Sequence, residues 1–557
     1  MKQTRRAVGL GALAAAVAAA GGAGGGSARA AASSSSAPTG YSVSGKKGPF
    51  VKQVAGRPYL GGGGQAGGGS MGLTDSISLG RYQTARIRMP QTEAKVAQLL
   101  ARIDAHWPYA KGQPLQVHIL GVDYYNAYSL PDGSIVVAFG LLDQAQSDDE
   151  VAFVLAHELG HVRLGHFTAK AQAQAPERAR PELASRMSQL YLANAAVSAA
   201  GANNGIIAAA AQAGATNDLI HFLSNVMVEP DHTREQEDEA DCIGYDLSEG
   251  SGYAADSASA KVFDTIVADQ QKHQAVIDSL GTQLKNQLGN ALKNGSAVSM
   301  VMGGASGLRA GLMENGAQLA IGMAMAHQNQ PPPQHRPPEE RKKGMAQYSA
   351  DAYPEGAPLR DEQHVWLTSL RSTPEFAQAK LAVAAVSDAK RARAAGKYPD
   401  AQAAIQRAQA TKFGASPLVV NEAARLHGDT GDLPGAERLF EQANASPDQT
   451  VDGYVDHVRM LYQAKQNDRA MQVAQAGVHR FGNDDKPFIS LEIAIAKQAG
   501  RDDEMEQYYN RCLSYQNPGL TKDCNLAAGK KADAGAQPGR GSSPSAPHIP
   551  FGIPHFP

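Results

Sequence analysis

Two histidines four residues apart, with a glutamate directly after the first, stand at His157-Glu158-Leu159-Gly160-His161. Side chains at i and i+4 leave a helix from one face, so both imidazoles can reach one metal ion. Glu158 is rotated by about 100° from His157, beside the metal rather than on it. From there it can take a proton from an attacking water and pass it to a leaving amine. A catalytic zinc site needs a third protein ligand and one open position. The positions where an extended HExxHxxGxxH motif would carry glycine and histidine hold Leu164 and Phe167, so that class is excluded. His166 falls out of register and reads as a supporting or surface histidine. The remaining source is the acidic run Glu235-Gln236-Glu237-Asp238-Glu239-Ala240-Asp241, in which Glu237 and Asp241 share one helical face. Glu237 is the expected third ligand. Asp241 is expected to accept the free N–H of a ligating histidine, His157, and fix its tautomer. The plain alternative is a solvated acidic first turn of a helix.

These groups need rigid carriers. Ser147-Asp148-Asp149-Glu150 matches a capping box opening the helix that bears His157 and His161. Val96, Leu99, Leu100 and Ile103 recur with helical period, predicting a helix there. Gln116–Leu120 and 134–139 are short β-prone runs, and Pro131-Asp132-Gly133 predicts a turn between the second and Asn126-Ala127-Tyr128.

The pair HELGH at 157–161 and ExxAD at 237–241 resembles the gluzincin peptidases related to HtpX and the CAAX prenyl protease, most closely the BepA-type periplasmic proteases. Asn126-Ala127-Tyr128-Ser129-Leu130-Pro131-Asp132-Gly133 is similar to a cleft strand of that family, with Asp132 where glycine is usual. The resemblance covers roughly 77–350. It implies a helix-rich α+β fold with a small sheet, one zinc ion per chain, and substrate backbone pairing at Asn126 and Ala127. It further implies a role near the metal for a loop histidine, His335 in His335-Arg336-Pro337-Pro338-Glu339-Glu340-Arg341, as transition-state stabiliser or as a plug on the open position. Arg336 stands where proline is usual.

Beyond the protease segment the chain turns Ala-rich and helical. Gly396, Gly431, Lys465 and Gly500 each precede, by five positions, Ala401, Ala436, Ala470 and Met505, at spacings of 35, 34 and 35. That is the period of tetratricopeptide helix pairs, which predicts an all-α array offering a groove to a protein. The expected organisation is a signal peptide at 1–30, cleaved after Ala30, and a disordered Gly/Ser-rich linker at 31–75. A zinc protease domain follows at 76–350, then tetratricopeptide-like repeats at 355–528 and a disordered tail at 529–557. Export would deliver the chain to the periplasm, an oxidising compartment, where Cys512 and Cys524 are expected to pair. Cys242 is expected to be buried and free. The Ala/Gly-rich stretches 191–217 and 297–327 make poor membrane spans, so membrane contact would be peripheral.

Lys and Arg total 52 against 54 Asp and Glu, a net charge of −2, which is no nucleic-acid footprint. Three cysteines exclude a four-cysteine zinc site. The expected activity is an exported zinc endopeptidase with Glu158 as base. By resemblance its substrates would be misfolded or stalled outer-membrane proteins, and its partner the outer-membrane assembly machinery. The rivals are a latent protease acting mainly as a chaperone or assembly factor, and a membrane-associated protease.

Overall fold

The computed structural model describes residues 48–54, 86–109, 114–130, 133–166, 234–268, 271, 336–358, 360–483, 485–515 and 518–530. The signal segment 1–30, both Ala/Gly-rich stretches, His335 and the tail beyond 530 lie outside them. Among the described residues no helix is long and apolar enough to cross a membrane.

The described residues begin with a short helix, α1 (Phe50–Gln53), where the sequence reads only linker. The linker expectation is corrected at 48–54. Phe50 and Val54 are buried in the main core. The backbone N–H groups of Phe50 and Val51 donate to Tyr348 Oη and Asp246 Oδ2, each at 2.7 Å. An apolar Pro49-Phe50-Val51 triplet inside a polar stretch has enough surface to dock.

Helix α2 (Pro90–Asp104) buries Val96, Leu99, Leu100 and Ile103, the stripe its periodicity predicts. Strands β1 (Gln116–Leu120), β2 (Ala127–Ser129) and β3 (Ser134–Ala138) form a sheet in the order β1-β3-β2. β1 runs parallel to β3, and β2 antiparallel to it with Tyr128 opposite Val136. After α3 (Phe139–Gln144) comes α4 (Asp148–Leu164), the helix of the two histidines. Its cap forms as read, with Ser147 Oγ accepting from Glu150 N at 3.2 Å. The return bond differs, because the Glu150 carboxylate accepts from Gln146 N, one residue earlier than a capping box requires. Helix α5 (Arg234–Gly250) packs along α4.

A helical stretch over 255–268 follows α5. Among the described residues there then come α6 (Pro338–Ala352) and α7 (Val365–Arg371), and nine further helices in sequence. These are α8 (Pro374–Ala394), α9 (Tyr398–Gln409), α10 (Pro417–Asp429), α11 (Leu433–Asn444), α12 (Val451–Gln463), α13 (Asn467–Arg480), α14 (Ile489–Gln498), α15 (Asp502–Ser514) and α16 (Pro518–Ala528). α8 packs on α9, α10 on α11, α12 on α13 and α14 on α15. The recurring turn positions Gly396, Gly431, Lys465 and Gly500 all take positive φ, at 67°, 85°, 58° and 70°. This left-handed residue ends one helix and aims the chain back along it, a conformation that suits glycine and costs the lysine. Ala401, Ala436 and Ala470 are fully buried where the paired helices meet. Buried Glu422 and partly buried Asp456 tie α8, α10 and α12 together by accepting from Arg393 and Arg425. Cys512 and Cys524 form a disulfide joining α15 to α16, and Cys242 is buried and free.

No break in packing marks the expected boundary near 350–355. One continuous core contains Leu155 and Leu159 of α4, Leu367 and Leu370 of α7, Phe376 and Val386 of α8, and Leu418 of α10.

Candidate metal centre

The helix of His157 and His161 is held at both ends before any metal enters. In its first turn Asp148, Asp149 and Glu150 are all buried, which three carboxylates tolerate only with donors aimed at them. Asp148 accepts from Trp366 N and Leu367 N at 2.9 and 2.7 Å, capping the start of α7. Asp149 accepts from Ala254 N and Gln363 N at 2.7 and 2.6 Å. Near the other end Arg163 makes a two-pronged pair with Asp104 of α2, at 2.8 and 2.9 Å. Past that end, Gly165 takes φ 67° and turns the chain out of the helix.

Helix α5 lies close against α4 because small residues meet where they cross. A Cβ placed on Gly160 would sit 3.3 Å from Ala240 Cα, and one on Gly244 would sit 3.1 Å from the His157 backbone nitrogen. This proximity brings the acidic motif to the histidines. The candidate ligand atoms of His157, His161 and Glu237 lie within 4.8 Å of one another. His157 Nε2 is 3.2 Å from His161 Nε2, and the Glu237 carboxylate is 3.5 and 3.4 Å from the two rings. Two imidazole nitrogens converging beside a buried carboxylate could hold a shared cation. The donor set of two nitrogens and one carboxylate oxygen suits zinc.

Asp241 Oδ1 lies 2.9 Å from His157 Nδ1, off the line of a good hydrogen bond. The Asp241 carboxylate is fully buried, and Arg341 of α6 grips both its oxygens, at 2.6 and 2.9 Å. Burial opposes the Asp241 charge, but Arg341 and then His157 outweigh it and hold its pKa down at about 2. Burial also opposes a charged His157, yet Asp241 and Glu237 prevail and hold its pKa up at about 10. The field that retains a proton there in the metal-free chain is the field that favours a metal cation. Burial, with Asp246 and Asp241 nearby, pushes the Cys242 thiol well up, which leaves it unsuited to attack.

Glu158 is nearly buried and points to the sheet, where Ser129 Oγ of β2 donates to its Oε2 at 2.8 Å. Asn126 and Ala127 sit at the start of the same strand. The Ala127 N–H donates to Asn126 Oδ1 at 2.9 Å, so a substrate strand pairing at Ala127 N must take over that donor. His335 is outside the described residues. Its neighbour Arg336 grips Asp238, between Glu237 and Asp241 in sequence, through contacts of 2.9 and 3.1 Å.

Of the residues singled out in the sequence, the structure assembles His157, His161, Glu237 and Asp241 in one place, with Glu158 next to His157 on the same helix. Sequence reasoning left Ser129 and Arg341 without roles although both stand inside the motifs quoted. It also gave no partner to His166, which lies against His161. Spacing along one helix is legible in a sequence, whereas a contact between elements is not.

Comparison with known proteins bears on this segment. Residues 90–284 match the family model described as Peptidase family M48. Metalloprotease YcaL of Escherichia coli (strain K12) is 26% identical over 169 residues, 30% of this chain and 58% of that protein. Metalloprotease LoiP of the same organism is 31% identical over 136 residues, 24% of this chain and 45% of that protein. The mitochondrial metalloendopeptidase OMA1 of Arabidopsis thaliana is 34% identical over 93 residues, 15% of this chain and 19% of that protein. The matches to YcaL and LoiP thus span less than two thirds of either relative. The segment carrying the candidate metal centre is related to M48 metalloproteases. The match ends before Arg336, Arg341 and the paired helices.

Proposed function

We propose that this chain is an exported zinc endopeptidase whose metal is held by His157, His161 and Glu237. The observation that carries the reading is the convergence of those three ligand atoms beside Glu158, inside a segment that matches M48 peptidases. Zinc, when bound, polarises the scissile carbonyl and acidifies the attacking water. Glu158 takes the proton of that water and delivers it to the departing amine. Ser129 donates to Glu158 Oε2 and holds the carboxylate in place. Asp241, clamped by Arg341, orients His157. By resemblance to the gluzincin peptidases, Asn126 and Ala127 would pair with substrate backbone, and His335 would stabilise the transition state or plug the open position.

The Cys512–Cys524 disulfide supports export into the periplasm. The recurring left-handed turns and buried alanines support a tetratricopeptide-like array that recruits substrate or partner. The substrates in this reading are misfolded or stalled outer-membrane proteins, and the partner is their assembly machinery, by resemblance to the BepA-type proteases.

The test is casein cleavage by the purified mature chain beside Glu158→Gln, with metal content measured on both. The expected result is zinc in both proteins and cleavage only by the parent. Cleavage by Glu158→Gln at the parent's rate would remove Glu158 from the mechanism. Zinc in both with cleavage by neither would favour the latent, chaperone-type reading.

A further inference from the structure

His166 lies outside the zinc-binding motif, is nearly buried, and touches a candidate ligand. The end of α4 explains how it gets there. Gly165 N donates to Val162 O at 3.3 Å and His166 N donates to His161 O at 3.1 Å, the two bonds of a Schellman turn. In that turn the side chains of the third-last helical residue and the second residue past the cap commonly touch through apolar atoms. Here those residues are His161 and His166, and they touch through polar atoms. His166 Nδ1 lies 2.9 Å from His161 Nδ1, and His166 Nε2 lies 3.4 Å from Glu239 Oε2 of α5.

Two imidazole nitrogens at that distance make a hydrogen bond only if one carries the proton and the other a lone pair. His161 Nε2 faces Glu237 and His157, so as a ligand it must offer its lone pair there. The His161 proton is then on Nδ1, and His166 Nδ1 must accept it. The His166 proton is thereby placed on Nε2, the nitrogen facing the Glu239 carboxylate. One arrangement satisfies all three groups, and it aims the lone pair of His161 at the metal.

We propose that His166 is the positioning residue for His161: its Nδ1 accepts the His161 Nδ1 proton and commits His161 Nε2 to the metal, while Glu239 holds His166 in the complementary tautomer. This rests on the reading of His157, His161 and Glu237 as a zinc site. The two histidine ligands then differ in support, a clamped carboxylate behind His157 and a neutral imidazole behind His161.

The test is zinc affinity of the full chain, by competition with a chromophoric chelator, for the parent, His166→Phe and His166→Asn. Phenylalanine keeps a ring of similar size without an acceptor. The Asn Oδ1 falls where the imidazole Nδ1 was. Loss of an outer partner of a metal-bound histidine weakens metal binding by about 10–100-fold. That loss is expected in His166→Phe, with most of it restored in His166→Asn. A merely structural role would weaken both variants alike, so equal losses overturn the proposal. Parent-like affinity in His166→Phe overturns it while leaving the zinc reading intact. A parent that binds no zinc defeats the zinc reading and this proposal together. Should His166→Phe fail to fold, nitrogen NMR of the zinc-loaded parent decides. A proton on His166 Nε2 and on His161 Nδ1 is expected, and a proton on His166 Nδ1 overturns the assignment.

Discussion

Asp241 is the most constrained charge in the centre, a fully buried carboxylate between His157 and Arg341. Removing one partner of a buried ion pair strands the other, at a cost of about 3–5 kcal/mol. Arg341→Met should therefore lower thermal stability by that order and weaken zinc binding, because the acceptor behind His157 loses its anchor. Melting curves with and without zinc check both. The acid response has a definite sign. The folded-state pKa of Asp241 is held at about 2, below its ordinary 3.8. Its contribution to stability is thus complete above about pH 4 and disappears as pH falls towards 2. In Arg341→Met that depression shrinks, so the acid-unfolding midpoint of the metal-free chain should move to higher pH in a circular-dichroism titration. An unmoved midpoint would show that Arg341 does not set the charge of Asp241. That Asp241 shares a helical face with Glu237 was legible from the i+4 spacing of the acidic motif. The grip of Arg341 was not, because it comes from α6, about 100 residues downstream.

At the scale of elements, the centre depends on how closely α4 and α5 cross. Gly160 and Gly244 make that approach possible, each lying against the backbone of the facing helix. Gly244→Ala would place a methyl group 3.1 Å from the His157 nitrogen, so the helices must separate by a few tenths of an ångström. Overpacking of this kind costs about 1–3 kcal/mol. It would also move Glu237 away from the two histidines. The expected outcome is a lower melting temperature together with weaker zinc binding. A variant that melts early but binds zinc like the parent would show that the ligand spacing does not depend on this crossing. Gly160 was visible in the sequence as part of the HELGH motif, whereas Gly244 lies three residues beyond the acidic motif. That they face one another's helices was not visible there.

At the scale of the whole molecule, the first paired helices, α8 to α10, contribute to the core that carries the metal centre, while α11 to α16 pack into a second cluster. The first turn of α4 supplies the cap of α7 through Asp148, and Phe376 of α8 stacks at 4.7 Å on Phe139 of α3. Glu375 of α8 accepts from Thr92 N of α2, and Arg88 pairs with Asp448 beside α12. A chain ending at residue 350 would expose this apolar face and leave Asp148 and Asp149 buried without most of their donors. It should fail to fold or to hold zinc, as read by near-ultraviolet circular dichroism and metal content. A stable, zinc-loaded 1–350 fragment would show that the protease segment is energetically independent.

Features set by local spacing along the chain were readable without a structure. Two imidazoles on one face with a glutamate beside them followed from the helical repeat at 157–161, and two carboxylates on one face from the spacing of 237 and 241. The cap at Ser147 followed from its residue type, and the turns at Gly396, Gly431, Lys465 and Gly500 followed from their recurrence at 35, 34 and 35 residues. The tertiary structure decided what stands behind each of these groups: Arg341 behind Asp241, Ser129 behind Glu158, and His166 with Glu239 behind His161. It also drew 48–54 out of the linker and joined the paired helices to the protease core. Periodicity reports which face of an element is buried. What covers that face is settled only when the elements pack, because the energy of a buried contact belongs to both partners and is written in neither one's local sequence.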